Sequence, residues 1–171
     1  MVRISREHKN IVVRRKVNGL KNSKNRKGKR FLLGVLFLGY LAALIYFLFF
    51  SEHYGRVESE EYHYNLTVFK EIQRYIQYRE QLGWEYFFVN IFGNVLAFVP
   101  FGFFLPLFSE KNRSFIYVTV YTFEASLVIE LLQLVFRVGT FDVDDLLMNT
   151  IGGAIGCILF FMFRGKLKNV L

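Results

Sequence analysis

Apolar residues crowd into four runs along this chain, at residues 31–50, 86–108, 114–136 and 146–163. The first, FLLGVLFLGYLAALIYFLFF, is twenty residues without a charge. As a helix rising about 1.5 Å per residue it crosses a hydrocarbon core of about 30 Å. It is longer than the apolar core of a secretory signal peptide and no small-residue cleavage site follows it, so it is expected to remain as a helix. The later runs are separated by segments too short and charged to form a soluble domain. Residues 51–85 open with the charged and aromatic EHYGRVESEEYHY and then become periodic. Val68, Phe69, Ile72, Tyr75, Ile76 and Arg79 recur at i, i+3 and i+4 spacing, which predicts an amphipathic helix over about 66–82 that lies in the interface and does not span. The pattern predicts an all-α membrane protein with four transmembrane helices and an extracellular interfacial helix between the first two.

Composition agrees with that reading, since 53% of the 171 residues are hydrophobic, 19% are aromatic and mean hydropathy is positive. Charge then orients the chain. Residues 1–30 hold twelve Lys or Arg against Glu7 alone, a net of +11, whereas the remainder nets −3. A basic tail that abuts an apolar run fits cytoplasmic retention and contact with anionic membrane lipids; nucleic acid is not expected as a partner. With both termini cytoplasmic, residues 51–85 and 137–145 lie outside and 109–113 inside, and the inner segments carry 17 of the 22 basic residues. Cys157 is solitary, so no intramolecular disulfide forms. His53 and His63 sit among acidic residues at a separation that matches no common metal spacing.

Polar residues inside the apolar runs are the candidates for chemistry. Residues 90–102 (NIFGNVLAFVPFG) place Asn90 and Asn94 on one helix face. In the third run Ser126, Glu130, Gln133 and Arg137 fall within about 60° of one another around a helix axis. At the fourth run Asp142, Asp145, Asn149, Gly153 and Gly156 fall within about 80°. Three helices each offering one polar stripe are expected to turn those stripes toward one another, because a lone ionised carboxylate such as Glu130 is costly at depth. Glu130 is expected to pair with Arg137, to bond Gln133 and the asparagines, or to hold a proton. Asp142 and Asp144 also suit the N-terminus of the fourth helix as caps. The candidate site is therefore Asn90, Asn94, Glu130, Gln133, Arg137, Asp142, Asp145 and Asn149, in the outer half of the membrane. Gly93, Pro100, Gly102, Ser126, Gly152, Gly153 and Gly156 are expected at helix-packing positions, with Gly152 and Gly156 forming a G-x-x-x-G pair that offers a route to homo-oligomers. Glu124 points away from the stripe and has no place in it.

These residues resemble a known pattern. The succession N-x-x-G-N-x-x-x-F-x-P-x-G at 90–102, S-x-x-x-E-x-x-Q at 126–133, then Arg137, Asp142, Asp145 and N-x-x-G-G at 149–153 resembles the VanZ-like family of bacterial membrane proteins, over roughly residues 65–163. Val68 stands where the family commonly has proline. The resemblance implies a multi-pass protein of the bacterial cell membrane. The family is named for a member that raises resistance to the lipoglycopeptide teicoplanin, and no settled biochemical activity or cofactor comes with the name. The expected function is lowered antibiotic susceptibility through an outward polar pocket that binds a lipid-linked envelope precursor or a lipoglycopeptide. Two alternatives stand beside it: a membrane enzyme that modifies envelope lipids with Glu130 or Asp145 as general acid or base, and a transporter or assembly subunit. No G-x-S-x-G elbow or H-E-x-x-H motif is present, no catalytic residue is assigned, and no metal or other cofactor is expected.

Overall fold

The structure, a computed structural model, describes residues 27–50, 62–108 and 113–169. Most of the basic tail, the acidic stretch that includes His53, and Lys111 between the second and third spans lie outside the described residues. Four helices are long and apolar enough to cross a membrane: α1 (Lys27–Phe50), α4 (Trp84–Phe108, of which Phe87–Phe108 is the apolar span), α5 (Phe115–Phe136) and α6 (Val143–Phe163). Their bounds follow local signals. Gly83 takes φ 92°, a conformation open to glycine, and this ends the preceding short helix just before α4 begins. Asp142 caps α6 through its own carboxylate. Pro100 and Pro106 both sit inside α4, where apolar surroundings and neighbouring helices support a spanning helix despite the missing N–H groups.

Packing centres on α6, the most enclosed of the four spans. A Cβ on Gly152 would strike the Val95 carbonyl, one on Gly156 the Val99 carbonyl and one on Gly102 the Gly153 backbone, so α4 and α6 touch backbone to backbone. Gly153 faces Thr122 of α5 just as closely. Gly102, Gly152, Gly153 and Gly156 therefore pack between helices of one chain. On the other side, Leu44 and Leu48 of α1 bury against Phe98 of α4. The Tyr40 hydroxyl donates to the Ala97 carbonyl at 2.7 Å, which ties α1 to α4.

The segment between α1 and α4 departs from the expected interfacial helix. Instead of one helix over 66–82 there are two, α2 (Lys70–Gln77) and α3 (Arg79–Leu82), with the break at Tyr78. Phe69, at the entry to α2, is left-handed with φ 66°. Val68, Phe69 and Ile76 are exposed, while Ile72, Tyr75 and Arg79 are half-buried. A two-residue parallel bridge was also not expected of an all-α chain: β1 (Tyr64–Asn65) pairs with β2 (Phe141–Asp142), Tyr64 opposite Phe141 and Asn65 opposite Asp142. The bridge fastens the segment after α1 to the turn before α6. It lies at the end of the bundle where α1 and α5 finish and where α4 and α6 begin.

Candidate functional site

The bridge end is held by carboxylates. The Asp142 backbone N–H donates to Glu130 Oε2 at 3.1 Å, and Asp142 Oδ1 accepts from the Asp144 N–H at 2.8 Å and from Asn65 Nδ2 at 3.1 Å. Asn65 in turn accepts the Thr67 N–H through its Oδ1 at 3.1 Å. Burial pushes the Asp142 carboxyl up to about 6, assisted by the nearby charges of Asp144 and Glu71 and opposed by the Asp144 N–H and Asn65 bonds. Asp144 is fully buried and reaches across to the start of α2, accepting from the backbone N–H groups of Phe69, Glu71 and Ile72. A carboxylate at the positive end of a helix satisfies donors that the helix itself leaves open. One acid thus caps α6, and its neighbour two residues on caps α2.

Between α2, α4 and the β2 turn lies a polar cavity of about 390 Å³. Asn90 and Asn94 of α4 and Asp142 and Asp145 at the start of α6 form one wall. Asn94 Nδ2 donates to Asp145 Oδ1 at 2.6 Å, which fixes the amide against the acid. The opposite wall comes from α2, with Lys70, Glu71 and Arg74; Arg74 pairs with Glu71 at 2.7 Å. Both signs of charge therefore face one space. Asn94 also lines a second, apolar groove of about 420 Å³ between α1 and α4, walled by Tyr40, Leu44, Leu48, Gly93 and Ala97. Asn94 thus borders both spaces.

The other expected site residues do not line the cavity. Glu130 is buried beneath the β2 turn, with Asp142 as its partner. Gln133 is buried and donates to the Leu48 carbonyl at 2.8 Å, joining α5 to the end of α1. Asn149 donates to Ser126 Oγ at 2.8 Å, joining α6 to α5. Gln133 Oε1 and Asn149 Oδ1 have no hydrogen-bond partner among the described residues. Of the arrangements open to Glu130, pairing with Arg137 is not the one adopted. Arg137 closes α5 in a left-handed conformation (φ 57°), and this turns the side chain outward over the Tyr62 ring, 4.5 Å from its centroid, with a bond to the Tyr62 hydroxyl at 3.2 Å.

Sequence reasoning missed Asn65, Lys70, Glu71 and Arg74 as cavity residues and missed Asp144 as a cross-segment cap; His63, an exposed residue, also lines the cavity. The i, i+4 spacing of Lys70 and Arg74 was a usable signal for a shared face. Among the described residues no three His, Cys, Asp or Glu side chains gather as a metal-binding set.

Four apolar helices with a polar cavity at one end define a multi-pass membrane protein. The chain belongs to the VanZ/LLP1 family, whose model matches residues 37–164, from within α1 to just past α6. It is similar to Protein VanZ of Enterococcus faecium, with 31% identity over 136 residues that cover 78% of this chain and 75% of that protein. No solved structure matches the chain.

Proposed function

We propose that this protein lowers susceptibility to lipoglycopeptide antibiotics of the teicoplanin type by holding a lipid-linked or lipid-tailed molecule at the bridge end of the bundle, which faces outward. The observation that carries the reading is that two unlike spaces share Asn94 as a lining residue: a polar cavity with both signs of charge and an apolar groove between α1 and α4. An amphiphile needs that pairing, with a headgroup site near the membrane surface and an apolar channel running along a span. Membership in the VanZ/LLP1 family supports the resistance phenotype. The basic tail supports the orientation: a cytoplasmic N-terminus leaves α1 finishing outside, at the same end as the cavity.

The cavity wall, rather than the buried supports, is the place to test this. Asp145→Asn and Asn90→Leu should return the teicoplanin inhibitory concentration to that of cells lacking the protein, at membrane levels matched by immunoblot. Asn94→Leu makes the shared lining residue apolar and should do the same. Undiminished protection by all three variants at normal abundance rejects the cavity as the site of action.

A further inference from the structure

A second groove, of about 1070 Å³, opens on the lipid-facing side between α1, α4 and α5, and none of its lining residues belongs to the polar cavity. Its wall is apolar apart from the Tyr121 hydroxyl and one carboxylate, Glu124. Glu124 is exposed on α5, and no hydrogen bond or ion pair engages it among the described residues. A carboxylate left alone in hydrocarbon is costly, and acids within membrane spans pair with donors or cations.

Depth restricts what that partner is. Glu124 lies nine residues from Phe115 and twelve from Phe136. At the helical rise this is about 14 Å from one end of α5 and about 18 Å from the other. Lipid headgroups stay at the membrane surface, so they do not reach it. Acyl chains fill the groove but offer no donor. A second copy of this chain offers hydroxyls such as that of Tyr121 but no cation to balance the charge: apart from Lys27, Lys29 and Arg30 at one end of α1, the four spans hold no Lys, Arg or His. We infer that the groove docks a transmembrane helix of a different protein, one that carries a basic side chain at mid-membrane and pairs it with Glu124. The flanking Ile45, Phe101, Leu105, Val128 and Leu132 supply the apolar contact that such a helix needs on either side of the charge pair.

The test uses the full chain in its native membranes, with a photo-reactive amino acid in place of Val128, one helical turn from Glu124 inside the groove, or in place of Ile158, exposed on α6 and outside it. Position 128 should yield a discrete polypeptide adduct that position 158 does not. Mass spectrometry should place the crosslink on an apolar span containing Lys, Arg or His. Glu124→Gln, and Glu124→Leu, which removes the polar group from lipid, should each lower that adduct about tenfold or more at unchanged abundance. Adducts only to lipid, adducts to a second copy, a partner span with no basic residue, or an adduct undiminished by either substitution would overturn the inference.

Discussion

Asp142 engages three segments at once, capping α6, receiving Asn65 and passing its own N–H to Glu130. Because its carboxyl rises from 3.8 to about 6 on folding, the folded protein binds that proton more tightly than the unfolded chain does. The stabilisation from this proton is complete below pH 3.8 and is lost as pH rises through about 6. Asn keeps the capping oxygen and does not titrate, so Asp142→Asn should flatten the response. Thermal unfolding in detergent should show the wild type losing roughly 5 °C against the variant between pH 4 and pH 7; parallel curves would count against the assignment. Arg137 shows what one residue hides from sequence reading. Its angular position on α5 points toward Glu130, but the left-handed turn at the helix end redirects it to Tyr62, and the sign of φ at a helix end that lacks glycine has no pattern to announce it.

Helices were the legible elements, because each span carries its own signal in an uninterrupted apolar run. Their contacts were half legible. The glycines of α6 suggested close packing, and the structure identifies what they pack against: Gly152 and Gly156 meet Val95 and Val99 of α4. By contrast, a Cβ on Gly34 or Gly39 of α1 would meet nothing within 4 Å. Gly156→Ala should therefore force α4 and α6 apart at a cost of about 1–3 kcal/mol. Gly39→Ala should be neutral or slightly stabilising, since it removes a flexible residue from a helix interior. Melting temperatures of the two purified variants would check the contrast, and equal values would contradict the backbone contact. The capping of α2 by Asp144 was not legible, since it joins residues 72 to 75 positions apart and no local periodicity encodes such a pair. The split between α2 and α3 escaped for a related reason: the apolar spacing continues through Tyr78, where the backbone does not.

At the scale of the molecule, the polar cavity and its supporting amides and acids gather at one end. Asn65, Asn94, Asp142, Asp144 and Asp145 all belong to the bridge end, whereas Arg113, Arg164 and Lys166 mark the opposite one. The proposed orientation places the first set outside and the second in the cytoplasm. In a Cys157→Ser background, Gln77→Cys should react with a membrane-impermeant maleimide on intact cells, and Lys166→Cys only after lysis; the reverse result would invert the protein. The bridge has a consequence for biosynthesis as well. Strand β1 is made early, yet its partner β2 and the acid that secures α2 come 77 and about 75 residues later, with the last of the four spans. The α2 side of the cavity is therefore not secured until α6 has entered the bundle, so a nascent chain with three spans already inserted holds Asn90 and Asn94 but lacks the Asp142 and Asp145 part of the cavity wall.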